Sequence, residues 1–369
     1  MTQAKHRFYR PELDVLRFIA FLLVFAHHAL AANGPVWDAI KNAGALGVCL
    51  FFLLSSYLIT ELMELEEEAS GTIRLDAFYV RRILRIWPIY LAVLILDFAI
   101  VHFTHPGVFT GYRLSAFLLL AGNWYVALHG FTYTISTPLW SISIEEQFYI
   151  LWPSVRKYLK RRGSLILSSL MFIAAYGSLY VLCRHNVDAN TGIWVNSFVQ
   201  FQFFSVGALL ALALKRATPT LHPLARIVLF CAGLVLLFIA QYVFHVKTGQ
   251  ASEPFGLLSA GYLCANAGCI TIFLSVLGAH QLGKAKSLVY LGKISYGLYV
   301  YHWIAWRFDK KLVEKVWLHM HWPDTFENAI AIVLALASTI AIASLSYHFV
   351  EAPILRFKKR FEVVRTRPA

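Results

Sequence analysis

The sequence predicts an all-α fold: a polytopic transmembrane bundle of about ten spans plus one re-entrant or interfacial segment, with both termini cytoplasmic. Three observations carry this. Hydrophobic residues make up 59% of the 369-residue chain against 14% charged, and the mean hydropathy is +0.61; a soluble domain of that length needs far more charge to cover its surface. The apolar residues fall in blocks close to the ~20 residues that cross a bilayer as a helix. The basic residues gather in alternate connections between those blocks, as the positive-inside rule requires.

The spans are expected near 13–32, 43–63, 83–103, 138–157, 164–183, 193–214, 224–245, 257–277, 287–306 and 327–349. The basic connections set the first, third, fifth, seventh, ninth and last intervals inside. These hold Lys5, Arg7 and Arg10; Arg74, Arg81, Arg82 and Arg85; the cluster from Arg156 to Arg162; Lys215, Arg216 and Arg226; Lys284 and Lys286; and the tail from Arg356. That gives 23 Lys and Arg inside against eight outside. An apolar patch at 114–128 is short and broken by Gly122, Asn123 and Trp124. Counting it as a span would move later basic loops outside, so it is read as re-entrant or interfacial.

The whole of 1–369 reads as one integral membrane domain, with 351–369 a short basic cytoplasmic tail. The first apolar run is too long for a cleavable signal peptide and no small-residue cleavage site follows it. The net charge of +13 is then a topology signal and not evidence of nucleic-acid binding, although a basic inner face suits anionic headgroups and polyanionic cosubstrates. Cys49, Cys183, Cys231, Cys264 and Cys269 form no CxxC pair and read as small buried hydrophobes. No metal site is expected.

Ionisable residues inside spans cost at least ~2.5 kcal/mol near a helix centre and are functional candidates. In the first span Arg17 and His28 are eleven residues apart, three turns plus about 20°, so they share a face, with Asp14 three residues before Arg17 on the same face. His27 is turned away by roughly 80° and reads as a packing or interfacial neighbour. In "FYVRRILRIWP", Arg82 and Arg85 lie at i,i+3 where the third span enters. They are either ordinary flanking charge or an arginine fork for phosphate. In "TPLWSISIEEQFYILWP", Glu145 and Glu146 have no basic partner nearby in sequence. Glu145 falls about 10 Å below the outer surface and His28 some 6 Å below it, so a carboxylate–imidazole pair is expected there. Trp140, Ser143 and Glu146, with His302 in the ninth span, read as acceptor contacts; for Trp140 and His302 interfacial packing is the competing reading.

With these segments in place, the chain resembles the acyltransferase-3 family of integral membrane O-acyltransferases from end to end. "YRPELDVLRFIAFLLVFAHHA" resembles that family's opening, in which histidine follows arginine after ten residues, here Arg17 and His28. "FFLLSSYLIT", "FYVRRILRIWP", "LWSISIEEQFYILWP", "ISYGLYVYHW" and "SYHFVEAPIL" match its later motifs in order. Val15 and Ser56 replace frequent glycines, and Ile304 a frequent proline. Many relatives append an extracytoplasmic SGNH-type domain; the residues after the last span read as too few for one, giving a stand-alone form.

The resemblance implies transfer of an acyl group, usually acetyl from acetyl-CoA, to a hydroxyl of a carbohydrate acceptor such as an O-antigen, exopolysaccharide or lipid-linked sugar, in a bacterial inner membrane. Arg82 and Arg85, with Arg17 and Asp14 beside them, would bind the donor. His28 would be the general base, oriented by Glu145. The alternatives are a macrolide-like acceptor, or a proton-coupled transporter using the same groups. The transporter lacks support, since no inverted repeat is visible.

Overall fold

The structure, a computed structural model, describes residues 8–30, 34–104, 111–132, 134–247, 253–317, 324–362 and 364. Lys5, Arg7 and residues 365–369 of the basic tail lie outside the described residues. Among the described residues there are helices and no strand.

Helix α1 (Pro11–Ala29) opens on proline at its first position with Glu12 and Asp14 in the first turn, and closes on His27 and His28. That order suits the fixed φ of proline and the helix dipole. A short helix, α2 (Pro35–Gly44), follows and packs on α1, mostly within the stretch expected as a loop between the first two spans. Helix α3 (Gly47–Ser70) ends at Gly71, whose φ of 73° needs no side chain, with its N–H bonded to the Glu67 carbonyl. Helix α4 (Leu75–Thr104) carries Pro88 inside it.

The patch at 114–128 becomes two helices of eight residues, α5 (Gly111–Leu118) and α6 (Gly122–His129). Each is about 12 Å long, less than half of a ~30 Å hydrocarbon core, so neither crosses it. The two spans expected at 138–157 and 164–183 are the two halves of α7 (Leu139–Arg184), which meet at a kink at Lys160, where φ is 53° and ψ −162°. Helices α8 (Ser197–Leu214), α9 (Pro223–Tyr242) and α10 (Phe255–Val276) follow. Then come α11 (Lys286–Lys293), α12 (Ser295–Trp317), α13 (Asp324–Ser346) and the short α14 (Ala352–Lys358).

Seven helical segments among the described residues are long and apolar enough to cross a membrane. Helices α1 and α12 are not among them, because α1 bears Glu12, Asp14 and Arg17 and α12 bears Arg307, Asp309, Lys310 and Lys311. Those two helices also carry His28 and His302. The apolar window of α9 is the most hydrophobic of the seven, yet only 17% of it is buried. A fold surrounded by water would bury that face; surrounded by lipid it has no reason to.

Small residues let the helices approach. A Cβ on Gly207 of α8 would meet Ser56 Oγ at 2.1 Å and the Leu53 carbonyl at 2.2 Å. Ser56, which stands where the resembled family favours glycine, therefore packs against a glycine on the partner helix. Gly292 of α11 does the same against α1, where a Cβ would lie 1.8 Å from the Asp14 carbonyl.

One end of the bundle is tied by the glutamates of α3. Arg10 meets Glu61 at 2.8 Å, Arg81 meets Glu66 at 2.9 Å, Arg156 and Lys160 meet Glu67 at 3.2 and 2.9 Å, and Arg216 meets Glu68 at 2.5 Å. Five of the 23 basic residues expected inside are thus paired within the protein. The tail returns to this end: Phe361 accepts a hydrogen bond from Arg81 at 2.6 Å.

Candidate active site

Three cavities lie in series beside α1. The first, about 100 Å³, is lined by Asp14 and Arg17 of α1, by Arg81, Arg82 and Arg85 of α4, and by Glu362 of the tail. The second, about 70 Å³, shares Arg17, Arg82 and Arg85 with the first and adds Ser55, Glu145, Tyr149 and Tyr299. The third, about 650 Å³, shares Val48 and Tyr299 with the second and is lined by His27, His28, Lys41, Trp140 and Lys247. The shared residues set the three side by side in a row, hereafter the path, from an arginine end to a histidine end.

The face of α1 read from its sequence is the face along this path. Asp14 accepts from Arg17 at 3.4 Å and from the Tyr9 hydroxyl at 2.9 Å, and Arg17 lines both of the first two cavities. Arg82 lies over the Tyr149 ring at 4.6 Å and the Phe78 ring at 5.4 Å. Stacking of this kind leaves the guanidinium N–H edge available in the plane. His28, half-buried, lines the third cavity between three rings: His27 at 4.7 Å, Trp303 at 4.8 Å and His302 at 5.1 Å between centroids. Trp140 lines the same cavity.

Other expectations are corrected. Glu145 and His28 make no hydrogen bond among the described residues. Glu145 instead accepts from Ser55 at 2.5 Å and from Tyr149, and it faces the middle cavity. Depth alone suggested the pair; the rotation of α7, which turns Glu145 toward α3, decides against it. Glu146 points away from the path and accepts from Trp87 of α4 at 3.1 Å. Ser143 is buried and bonds back to the Leu139 carbonyl at 3.3 Å. Neither lines any of the three cavities. His302 is neither interfacial nor on the lining of any of the three cavities: it is fully buried, its Nδ1 is 2.5 Å from the Tyr299 carbonyl, and its ring lies beside His28.

His27 is also buried rather than interfacial. Its Nδ1 is 3.0 Å from the Lys41 carbonyl and its Nε2 2.5 Å from Lys247 Nζ. Sequence reasoning missed Tyr299, whose hydroxyl lies 2.5 Å from Ser141 Oγ and borders two cavities. It sits in "ISYGLYVYHW", where only helical spacing from His302 would have singled it out. Lys41 and Lys247, on α2 and the loop after α9, had no sequence signal. Among the described residues no three His, Cys, Asp or Glu side chains converge as a metal-binding group.

Comparison with known proteins bears on what this path does. Residues 10–348 match the family profile Acyl_transf_3, described as an acyltransferase domain. The peptidoglycan O-acetyltransferase OatA of Listeria monocytogenes is 27% identical over 372 residues, covering 96% of this chain and 57% of the relative. The Bacillus subtilis protein named "Putative peptidoglycan O-acetyltransferase YrhL" is 31% identical over 384 residues, covering 95% of this chain and 56% of the relative. The Staphylococcus aureus protein named "Putative O-acetyltransferase SAS0844" is 25% identical over 393 residues, covering all of this chain and 60% of the relative. The chain thus spans somewhat more than half the length of these curated relatives. No solved structure matches it.

Proposed function

The chain belongs to the acyltransferase-3 family, and from that premise we propose that it moves an acetyl group from acetyl-CoA, bound at the arginine end, to a hydroxyl of a carbohydrate bound at the histidine end. The observation that carries this reading is the serial path itself, with Arg17, Arg82 and Arg85 shared by its first two cavities and His28 lining its third. Positive-inside charge supports an arginine end that faces the cytoplasm, where acyl-CoA is made, in a bacterial inner membrane. Ten spans with both termini inside fit the helices, α7 supplying two and α1 and α12 one each.

Arg82 and Arg85 bind the CoA phosphates through their N–H forks, with Arg17, held by Asp14, extending the cationic wall inward. The narrow middle cavity admits the pantetheine arm past Glu145 and Tyr149. At the third cavity His28 takes the proton of the acceptor hydroxyl as its oxygen attacks the thioester carbon. The C–S bond breaks, and the imidazolium returns the proton to the leaving thiolate, so an ester and a free thiol result. His302 and Trp303 fix the His28 ring. The names of the relatives point to a cell-wall glycan as the acceptor.

The test uses the purified full chain in proteoliposomes with labelled acetyl-CoA and a panel of glycan acceptors. Label appearing on glycan in the histidine-side compartment supports the reading. Solute or proton flux that proceeds without CoA, with no label transferred, replaces it with the transporter.

A further inference from the structure

The third cavity is large enough for a small saccharide, within the ~300–1,000 Å³ typical of ligand sites. Trp140, Trp194, Trp303 and Trp306 give it flat apolar walls. Its polar wall is cationic. Lys41 and Lys247 both line it, and neither forms an ion pair with a carboxylate among the described residues. The one acid on the lining, Asp188, spends Oδ1 on the backbone N–H and hydroxyl of Thr191, both at 2.7 Å.

The way Lys247 is held decides where its charge points. A carbonyl oxygen only accepts, so His27 Nδ1, 3.0 Å from the Lys41 carbonyl, carries the ring proton. Nε2 is then a lone pair, and Lys247 Nζ, 2.5 Å away, donates to it. The backbone N–H of Lys247 donates to the Gln241 carboxamide at 3.2 Å, which pins the loop. An imidazole acceptor fixes the ammonium without cancelling its charge, and two N–H bonds remain for the cavity. An ammonium held by a neutral ring beside a second lysine is electrostatically incomplete, and an anion completes it.

We infer that the acceptor is an anionic saccharide, bearing a carboxylate or phosphate group near the acylated ring, and that Lys247, fixed by His27, recognises that group with Lys41 beside it. This inference rests on the reading that the third cavity is the acceptor site. It narrows the acceptors from sugars in general to charged ones. It also gives the histidine next to the proposed base a separate task, positioning the residue that reads the substrate.

The experiment is calorimetric binding to the detergent-purified full chain, without donor, of three matched trisaccharides: one with a glucuronate, one with a sugar phosphate and one neutral. At least one anionic probe binds about tenfold more tightly than the neutral one, the preference shrinks as salt rises, and Lys247→Gln brings the ratio close to one. Preference for one probe over the other separates carboxylate from phosphate. Lys247→Arg, which keeps the charge, retains the preference, and the salt series on the unaltered chain gives an answer even if Lys247→Gln does not fold. Equal binding of neutral and anionic probes, no binding of any, or a preference unchanged in Lys247→Gln overturns the inference. Transfer assays run alongside separate the two claims. A Lys247-dependent preference without acetyl transfer sinks the enzymatic reading alone, and transfer to neutral glycans without preference sinks only this one.

Discussion

At the arginine end, Glu61, Glu66, Glu67 and Glu68 of α3 take up Arg10, Arg81, Arg156, Lys160 and Arg216; at the histidine end, Lys41 and Lys247 line a cavity with no carboxylate paired to them among the described residues. The arginine end also keeps cations on its cavities, since Arg82 rests on aromatic rings and forms no ion pair with an acid among the described residues. Paired charge there ties α3 to α4, to α7 and to the chain next to α1 and α8. Charge left on a cavity wall, at either end, is costly to desolvate and finds its compensation in a ligand. The partner of a basic residue, more than its position in a loop, separates the structural cations from the functional ones.

The sharpest way to break that comparison is to remove the proposed general base. His28→Ala is expected to lower transfer by about 10²–10⁴-fold, the usual worth of a general base, while binding of CoA at the other end stays intact by calorimetry. Full transfer by this variant would move the chemistry elsewhere.

Next in size is the structural pairing. Glu61 is fully buried and accepts two bonds from Arg10, at 2.8 and 3.1 Å, and one from the Tyr57 hydroxyl at 2.8 Å. Glu61→Ala leaves that arginine without its carboxylate and is expected to cost about 3–5 kcal/mol, read as a drop in the temperature at which detergent-solubilised protein unfolds. Arg82 and Arg85 are expected to behave in the opposite manner. Replacing either by alanine leaves the unfolding temperature close to that of the unaltered chain and raises the KM for acetyl-CoA about ten- to hundredfold, a charged hydrogen bond being worth ~1.5–3 kcal/mol. A thermal loss with unchanged KM would put them with the paired arginines.

The smallest effect is one of pH. Burial first, and the charge of Lys41 second, hold Lys247 down to about 7. The sign follows from the charged form being the one that binds: affinity for an anionic acceptor is full below pH 7 and falls several-fold as pH rises through it. His27, His28, Lys41 and Asp188 share the cavity, so the profile of Lys247→Arg, which stays charged, is the control. A binding profile with the same slope in both proteins would assign the titration to another of these groups.

Much of the path was legible in α1 alone. An α-helix fixes the angle between residues eleven apart, so Arg17 and His28 had to share a face with Asp14, and all three line the row of cavities. The ordering of the spans was legible as well, because hydrophobic length and basic loops are local properties. The eight-residue helices at 111–129 were foreshadowed by Gly122 and Asn123, although two helices were not. Glu145 was harder. Its depth in α7 follows from counting residues, but its direction depends on how α7 is rotated against α3, and Ser55 and Tyr149 took the carboxylate that depth alone had offered to His28.

What the sequence determined by itself was therefore what lies along one helix or within one span: the helical class, the polar face of α1, the RxxR spacing and the family. What only the tertiary structure decided was every relation between helices. It matched the acids of α3 to basic residues up to 148 positions away, brought His302 against His28, and set Lys247 on His27 across 220 residues. The physical reason is that backbone hydrogen bonding fixes geometry within a helix, whereas the rotation and depth of one helix against another are set by side-chain packing, such as Gly207 on Ser56, that no local pattern encodes.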